Sequence, residues 1–386
     1  MVFPVLIIIV SLLALCYVAM LCVINAGWHR LNRQKPPSIT SSSLPFISVV
    51  IAVRNEEKTI PPLLNSLLLQ DYPTERYEVI VIDDFSSDNT ILVINDFIAQ
   101  HSLTNYYCFK NDDPAMSGKK GALAKGIESA VGEIVITTDA DCTMGEKWLH
   151  SLASAFIQNS PEMVIGPVDI EADKSLFSAF QSLEYMSITG VTAGAAVWGI
   201  PVMCSGANLA FRREAYSALK NKLSGGNYQS GDDVFLMITL KKVYPDKIIF
   251  LKDREALIKT QPSKGISYFM SQRMRWASKA GGYNDFAVIY TGLIVALFNI
   301  SIALLGIISL SGLIPLQIPV YLWLIKFLAD FPLLYHVSRF LDKGTLLRFY
   351  IPLQIIYPFY VVGTLAGSRI MHYTWKNRKI ALQCLA

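Results

Sequence analysis

Long apolar runs at both ends of the chain divide the sequence. The first 27 residues carry no charge and include VLIIIVSLLALCYVAMLCVI, which is long enough to cross a hydrocarbon layer that needs about 20 apolar residues. Residues 286–325 are again uncharged, with Pro315 and Pro319 between two apolar halves, and another apolar segment covers residues 349–367. The pattern predicts an N-terminal transmembrane anchor and a C-terminal membrane region of two or three helices.

Basic residues next to these segments predict their orientation. The anchor is followed by WHRLNRQK (residues 28–35), and the tail SRIMHYTWKNRKI is basic as well, so the positive-inside rule places both flanks in the cytoplasm. An outward N-terminus followed by four full crossings would put the tail outside. Either one segment is re-entrant or interfacial, or the charge rule is broken here. A cleaved signal peptide is the alternative for the first segment, but the basic start and the A-x-A site are absent.

Between the apolar ends, short β-branched runs alternate with helical patterns. The predicted strands are FISVVIAVRNE, YEVIVIDDFSSD, NYYCFKND, EIVITTDAD and MVIGPVDI, and the predicted helices are NTILVINDFIAQH, KKGALAKGIESA and EKWLHSLASAF. This alternation predicts an α/β, Rossmann-like domain with a mostly parallel sheet between helices. Ligands of such sheets bind beyond the carboxyl ends of the strands.

The proline-bracketed stretch PPSITSSSLP separates the anchor from this domain. The predicted division is an anchor (1–27), a linker (28–45), the α/β domain (46–284), the membrane region (285–368) and a basic cytoplasmic tail (369–386). The apolar run ITGVTAGAAVWGIPVMC (188–204) contains glycines and Pro201 and precedes the polar SGAN. It is expected to be a buried segment of the α/β domain, with a membrane helix as the alternative.

Composition agrees with a membrane protein and narrows the partners. Hydrophobic residues make up 52% of the 386 residues, above the usual share for a soluble domain. The net charge of +4, without clusters of basic and aromatic residues, argues against nucleic acid and leaves membrane lipids as the expected partner. Six scattered cysteines without a C-x-x-C pair indicate a reducing compartment and no structural metal.

Two carboxylates end the fourth predicted strand, in ITTDADC. Asp139 and Asp141 are two residues apart, so in an extended strand both side chains point the same way. Two such carboxylates can hold Mg²⁺ or Mn²⁺ and share the ion with a diphosphate. A solvated turn is the alternative, but the position at the ligand edge of the predicted sheet favours a metal site.

Four blocks of sequence together resemble the inverting family-two glycosyltransferases, which have the GT-A fold. They are VVIAVRNEE (49–57), VIDDFSSDNT (81–90), TTDADC (137–142), and the pair SGDDVFL (230–236) and QRMRW (272–276). The resemblance implies a GT-A catalytic domain that binds a UDP-sugar. The implied nucleotide-sugar residues are Arg54, Glu56, Asp84, Lys119, Gly121 and Asp139.

Each of these assignments has a simpler alternative. A carboxylate such as Asp84 suits uracil because it accepts the ring N–H, whereas the later residues of DDFSSDNT could cap a helix. Lys119 and Gly121 match the family block that approaches the diphosphate sugar, but adjacent lysines at a helix start are often only solvated.

The block SGDDVFL corresponds to the family's acidic pair, in which the first member is usually glutamate. Here the pair is Asp232 and Asp233, and Asp233 is the implied general base. An acceptor hydroxyl must lose its proton as it attacks the anomeric carbon, and a carboxylate within hydrogen-bond reach can take it. An acid placed at a helix N-terminus for its dipole is the alternative.

In QRMRW, the residues Gln272, Arg275 and Trp276 share one face of a predicted helix. The resemblance implies that the arginine pairs with the diphosphate, which suits its bidentate fork, and that the tryptophan flanks the acceptor. The alternative is an amphipathic helix on the bilayer with Arg273, Arg275 and Lys279 at the headgroups.

The sequence thus predicts a metal-dependent inverting hexosyl- or N-acetylhexosaminyltransferase in the cell inner or plasma membrane, with its catalytic domain in the cytoplasm. The expected donor is a UDP-sugar and the expected acceptor a lipid or lipid-linked glycan of cell-envelope or polysaccharide synthesis. A processive polysaccharide synthase and a catalytically silent scaffold or glycan-binding subunit are the alternatives.

Overall fold

The computed structural model describes residues 2–31, 44–173, 175–223 and 232–370, and the backbone of residues 373–375 and 378–380. The chain forms two compact units. The sheet unit comprises Asn32–Glu171 and Met203–Gln261, and the helical unit comprises Met1–Leu31, Ala172–Val202 and Pro262–Ala386. Linker residues 38–43 and most of the tail beyond Lys376 lie outside the described residues, so their cytoplasmic placement stays a prediction, as do the domain bounds.

The described helices, in chain order, are α1 (Val2–Arg30), α2 (Ile60–Leu68), α3 (Thr90–Gln100), α4 (Lys119–Ser129), α5 (Trp148–Asn159), α6 (Leu176–Ala196), α7 (Arg213–Leu219), α8 (Asp232–Val243), α9 (Ile266–Ala277), α10 (Phe286–Leu310), α11 (Gln317–Phe340) and α12 (Tyr350–Ile370). The described strands are β1 (Ile47–Val53), β2 (Tyr77–Asp83), β3 (Tyr106–Lys110), β4 (Ile134–Asp139), β5 (Cys142–Met144), β6 (Met163–Ile165), β7 (Val168–Ile170), β8 (Leu209–Arg212), β9 (Ile248–Phe250), β10 (Ile258–Thr260), β11 (Tyr373–Trp375) and β12 (Arg378–Ile380).

The sheet unit is built on seven described strands in the order β3-β2-β1-β4-β8-β6-β9. The neighbours β3, β2, β1 and β4 run parallel, whereas β8 is antiparallel to both β4 and β6. Almost every residue of β1 and β2 is buried, as expected for central parallel strands with both faces covered. The predicted α/β fold with a mostly parallel sheet is therefore confirmed.

Each predicted strand and helix of this unit has a counterpart in the structure, whereas several elements, among them α2, β5, β9 and β10, were not predicted. The run MVIGPVDI forms two short strands, β6 and β7, which belong to different sheets, because β7 pairs with β10 in the small sheet β5-β10-β7. The antiparallel strand β8 comes from the segment CSGANLAFRRE, whose short apolar run carries little strand signal of its own.

The helical unit contains the apolar ends of the chain. Within the described residues, four helical segments are long and apolar enough to cross a membrane: Pro4–Arg30, Phe286–Leu310, Gln317–Phe340 and Gly344–Ile370. They correspond to the anchor and to the three apolar segments of the C-terminal region. Pro332 and Pro358 lie inside α11 and α12, respectively.

The run that begins at Ile188 is part of α6, which belongs to the helical unit rather than to the sheet unit where it was expected. Its small residues explain the packing. A Cβ on Gly194 would lie 2.1 Å from the carbonyl oxygen of Ile24, and one on Gly27 would lie 2.1 Å from that of Gly194. The backbones of α1 and α6 therefore approach closely at these glycines, in the way that small residues permit between helices.

Candidate active site

The carboxyl ends of β1, β2 and β4 bring several predicted site residues to one edge of the sheet. Val53 pairs with Asp83, and Ala52 pairs with Asp139. Arg54 and Asp84 therefore follow adjacent strand ends, beside the Asp139 end of β4. The carboxyl ends of parallel neighbouring strands lie at the same edge of the sheet, so this ligand edge was predictable from the sequence.

Hydrogen bonds from backbone N–H groups to side chains join the loops after β1 and β2. Asn55 adopts a left-handed conformation with φ 52°, and its N–H donates to Ser86 Oγ at 2.9 Å. The Ser87 N–H donates back to Asn55 Oδ1 at 2.8 Å. The side chain and backbone of Asn55 thus fix the loop that follows Arg54 against the loop after β2.

Glu56 also joins the loop after β1 to the segment after β2. Its N–H donates to Thr90 Oγ1 at 2.8 Å, and its carboxylate accepts a short hydrogen bond from Thr59. Asp88 accepts from the N–H groups of Thr90, the first residue of α3, at 3.1 Å and of Glu57 at 3.2 Å. The N-cap residue Asn89 makes no side-chain cap hydrogen bond. The binding role of Glu56 remains a prediction.

Asp84 is held rigidly by its neighbours. Its side chain is 1% exposed, and Oδ1 accepts from the Gly118 N–H at 2.8 Å and from Asn111 Nδ2 at 3.4 Å. Arg54 Nη1 donates to the Asp84 carbonyl at 2.6 Å and lies 3.8 Å from Oδ2. The carboxylate is therefore an ordered acceptor, fixed between β1 and the N-terminus of α4.

Two buried acceptor atoms lie next to this group. Asp83 Oδ1 and Asn111 Oδ1 are buried and accept no hydrogen bond from the described residues. The other oxygen of Asp83 accepts from the Ser86 N–H at 3.1 Å. Buried polar atoms are nearly always satisfied in proteins, so these two oxygens are acceptors that a further donor would complete.

Of the D-x-D carboxylates, Asp139 ends β4, whereas Asp141 lies in the turn before β5 and not in the extended strand that was predicted. Lys119 Nζ forms a short ion pair with Asp139 Oδ1, and Thr260 Oγ1 donates to Asp141 Oδ2 at 3.2 Å. Desolvation and the charge of Asp139 raise the pKa of Asp141, although the residue is at the surface and Lys119 opposes the effect. Two neighbouring carboxylates are a donor set that suits Mg²⁺ or Mn²⁺.

These two carboxylates have few partners for a metal. The described residues contain no group of three or more His, Cys, Asp or Glu side chains placed to hold an ion. Mg²⁺ commonly binds through one or two carboxylates together with substrate phosphates. The geometry thus fits an ion that arrives with a diphosphate better than a closed protein cage.

Gly121 has a packing reason to be glycine. A Cβ there would lie 1.8 Å from the Met116 carbonyl oxygen, because the 3₁₀ turn Pro114–Met116 crosses the first turn of α4. The glycine lets α4 approach this turn, which places Gly118 and Lys119 at the sheet edge. Its contact with the donor stays a prediction.

The acidic pair of SGDDVFL begins α8, and Asp233 is tied to the same sheet edge. Asp233 Oδ2 accepts from the Gly206 N–H at 2.9 Å, and Oδ1 accepts from the Val234 N–H at 2.9 Å. Thr137 Oγ1 donates to the Gly206 carbonyl at 2.8 Å, two residues before Asp139 in β4. Hydrogen bonds thus connect Asp233 to the strand that ends in the D-x-D carboxylates.

Asp232 faces a different partner. Its Oδ1 lies 3.7 Å from Lys120 Nζ, so neighbouring lysines of α4 pair with Asp139 and Asp232. The N-terminus of α4 therefore forms ion pairs with both the end of β4 and the N-terminus of α8. Asp232 and Asp233 differ clearly in their surroundings, which supports separate roles for the two.

Gln272, Arg275 and Trp276 lie together on α9 in the helical unit and are half-buried. The alternative that placed Arg273 at lipid headgroups is wrong. Arg273 is 4% exposed and forms a salt bridge with Glu184 of α6. A guanidinium buried against a carboxylate is not available to a membrane surface.

Several positions of the edge were not singled out from the sequence. Gly206, Asn111, Gly118, Lys120 and Thr260 hold or contact the predicted acids. SGAN and SGKK offered a weak local signal for Gly206, Gly118 and Lys120. For Asn111 and Thr260 no local signal exists, because their strands meet the acids only through sheet pairing.

The mostly parallel sheet with acids at its carboxyl edge agrees with the GT-A fold that the sequence predicted. Residues 48–220 match the family described as glycosyl transferase family 2. Residues 48–220 therefore form a glycosyltransferase family 2 domain, which contains the first three of the four sequence blocks.

Relatives and solved structures place this domain among known enzymes. The chain is 35% identical over 147 residues to a poly-beta-1,6-N-acetyl-D-glucosamine synthase of Staphylococcus epidermidis, covering 37% of this chain and 34% of the relative. It is 33% identical over 114 residues to a beta-monoglucosyldiacylglycerol synthase of Trichormus variabilis, covering 30% and 24%. The chain thus matches about a third or less of the length of these curated relatives.

A solved structure of the mannosyltransferase PcManGT from Pyrobaculum calidifontis, in complex with GDP-Man and Mn²⁺, superposes with a TM-score of 0.57 at 17% identity. The superposition covers 95% of this chain and 99% of that chain. At this identity the likeness shows the fold, and it confirms the GT-A architecture.

Proposed function

We propose that the protein is a membrane-bound, metal-dependent inverting glycosyltransferase. It transfers a hexosyl or N-acetylhexosaminyl group from a UDP-sugar to a lipid or lipid-linked glycan in cell-envelope or polysaccharide synthesis. The catalytic domain faces the cytoplasm, and the membrane is the cell inner or plasma membrane.

The observation that carries this proposal is the hydrogen-bonded connection between the D-x-D strand and Asp233. The bonds Thr137–Gly206 and Gly206–Asp233 are 2.8 and 2.9 Å long. An inverting transfer needs a diphosphate-binding group and a base on opposite sides of one anomeric carbon. Both groups are anchored at the end of β4, so the sheet can hold them at a constant separation.

Asp139 and Asp141 would hold the divalent ion. When bound, Mg²⁺ or Mn²⁺ would neutralise charge on the leaving diphosphate. Desolvation and then the charge of Asp139 raise the pKa of Asp141, and a cation between the two carboxylates would offset that repulsion. Lys119, now paired with Asp139, is placed to contact the diphosphate once the carboxylate turns to a metal.

The nucleoside is proposed to bind at the ends of β1 and β2. Asp84 is an ordered acceptor, and Asp83 Oδ1 is a buried acceptor without a partner among the described residues. Acceptors there suit the ring N–H of uracil. Guanine also carries N–H donors, and PcManGT binds GDP-Man, so the donor test includes both nucleotides.

Asp233 is proposed as the general base. Its two backbone hydrogen bonds orient the carboxylate while the residue stays partly exposed, so an acceptor hydroxyl can reach it. The base removes the hydroxyl proton as the oxygen attacks the anomeric carbon, and the bond to the UDP oxygen breaks on the opposite face. One displacement of this kind inverts the configuration.

A membrane-associated acceptor is supported by the four long apolar helices and by the similarity to a beta-monoglucosyldiacylglycerol synthase. A substrate embedded in the bilayer is presented to an enzyme that is itself anchored there. The roles of Gln272, Arg275 and Trp276 toward diphosphate and acceptor rest on the family resemblance.

The test is a nucleotide-release assay on the full chain in lipid nanodiscs. UDP-glucose, UDP-N-acetylglucosamine and GDP-mannose are each supplied with Mn²⁺ or with EDTA, and with diacylglycerol or polyprenyl phosphate. We expect metal-dependent UDP release that rises when an acceptor is present, with one added sugar detected by mass spectrometry. Release from GDP-mannose alone would contradict the UDP assignment, and sugar transfer unaffected by EDTA would contradict the metal.

A processive polysaccharide synthase is the second candidate, favoured by the 35% identity to the poly-beta-1,6-N-acetyl-D-glucosamine synthase. The same assay separates the two by product length. Products with one added sugar at all donor concentrations indicate single transfer. A ladder that lengthens while unused acceptor remains would identify a synthase.

A further inference from the structure

Arg273, the second residue of QRMRW, is buried in the helical unit together with an acid. Its Nε lies 2.9 Å from Glu184 Oε1 and 2.9 Å from Oε2, and both side chains are about 5% exposed. Tyr360 OH of α12 donates to the same carboxylate at 2.5 Å. One carboxylate of α6 therefore holds α9 and α12 together.

The guanidinium also contacts two residues to which the family resemblance assigns roles. Arg273 Nη1 donates to Gln272 Oε1 at 2.5 Å. Its Cζ lies 4.2 Å from the centroid of the Trp276 ring and 4.4 Å from that of Phe269. A cation at this distance over an aromatic face attracts the ring, so Arg273 restrains both Gln272 and Trp276.

Packing alone does not require the ion pair between Arg273 and Glu184. Desolvation lowers the pKa of Arg273, but Glu184 raises it and keeps the guanidinium charged. A buried ion pair is seldom more stabilising than apolar residues of similar volume. Its surroundings are aromatic, with Phe180 and Phe269 against Tyr360, so an apolar alternative would pack well.

We propose that Arg273, Glu184 and Tyr360 form a positioning clamp that fixes the side chains of Gln272 and Trp276 for the transfer reaction. The proposal rests on the proposed function, because it takes the transfer roles of Gln272 and Trp276 from it. Arg273 is a positioning residue: it acts through its neighbours and is already fully engaged by Glu184 and Gln272.

A variant that keeps the fold without the clamp tests this directly. Arg273→Met alone leaves the Glu184 carboxylate buried and unpaired, so we expect it to lower the Tm. The triple variant Arg273→Met, Glu184→Met and Tyr360→Phe replaces all three polar groups by apolar ones. We expect it to recover a Tm near that of the wild type, since paired replacement of buried charges is often neutral.

Activity separates positioning from stability. In the triple variant we expect the affinity for UDP and Mn²⁺ to stay unchanged and kcat to fall by about 100-fold, a typical loss when a reacting group is misplaced by about 1 Å. Recovery of wild-type kcat together with the Tm would overturn the proposal. The matched control is Arg348→Met, which removes an exposed guanidinium 4.7 Å from the Phe349 ring and should change neither quantity.

A second readout does not depend on activity. The chain has six tryptophans, and 5-fluorotryptophan labelling with Trp276→Phe as the assignment variant identifies the Trp276 ¹⁹F resonance. We expect this resonance to shift and broaden in the triple variant while the others stay in place. If the wild type transfers no sugar, the proposed function fails, but a Trp276 resonance that moves still supports the clamp and an unchanged one refutes it.

Should the triple variant not fold, Arg273→Lys decides the matter. Lysine keeps a charge for Glu184 but lacks the planar fork that also reaches Gln272. We expect near wild-type stability, a moved Trp276 resonance and a lower kcat. An unchanged resonance with an unchanged kcat would refute the clamp.

Discussion

The exchange Asp233→Asn isolates the proposed base. Asparagine has the size of aspartate but cannot accept the acceptor's proton. In the structure both carboxylate oxygens accept backbone hydrogen bonds of 2.9 Å, from Gly206 and from Val234. An amide has one oxygen, so the asparagine side chain of the variant can satisfy only one of these two N–H groups.

Two free energies follow from this geometry. Leaving one backbone donor unsatisfied costs about 1–3 kcal/mol of folding free energy, toward the lower end here because Asp233 is partly exposed. Loss of a general base typically lowers the rate by about 10²–10⁴-fold, which corresponds to about 3–5 kcal/mol in the activation barrier. The catalytic effect should therefore exceed the structural one, in a protein that remains folded.

The assay compares Asp233→Asn with Asp232→Asn as the matched control. Asp232 is 3.7 Å from Lys120, and its side chain is 27% exposed, so its removal should cost only about 0–1 kcal/mol. We expect Asp233→Asn to bind UDP and metal with wild-type affinity and to lose transfer, and Asp232→Asn to retain most of it. A dead Asp232→Asn beside an active Asp233→Asn would move the base by one residue. Activity in both would show that the base lies elsewhere.

Three further predictions test the edge and the membrane. Asp139→Asn and Asp141→Asn should each abolish Mn²⁺-dependent UDP binding in calorimetric titrations; unchanged affinity and metal dependence in both would make ITTDADC a plain strand end. Gly121→Ala should lower the Tm, since its Cβ would lie 1.8 Å from a carbonyl oxygen and overpacking typically costs about 1–3 kcal/mol, whereas Gly145→Ala meets nothing within 4 Å and should not. Cysteines introduced in residues 38–43 and in the basic tail should resist impermeant maleimide in intact cells, and labelling of the tail from outside would exclude a re-entrant segment.

Local patterns were enough to predict the strands and the acids at their ends. The runs that became β1, β2 and β4 are β-branched and apolar, and their period and length distinguish them from helices. The strand alternation predicted for Asp139 and Asp141 is wrong, because β4 ends at Asp139 and Asp141 lies in the turn before β5. The four long apolar helices were also predictable, because hydropathy over a bilayer-length window is a local property.

The partners of these residues depended on contacts distant in sequence. Nothing near Asp233 shows that its carboxylate accepts from Gly206, because that contact requires β8 to lie antiparallel beside β4. Arg273 could equally have faced lipid headgroups until α6 placed Glu184 against it. Hydrophobic periodicity tells which side of an element is buried but not which element covers it. The contacts around Arg273 therefore became visible only in the packed helices.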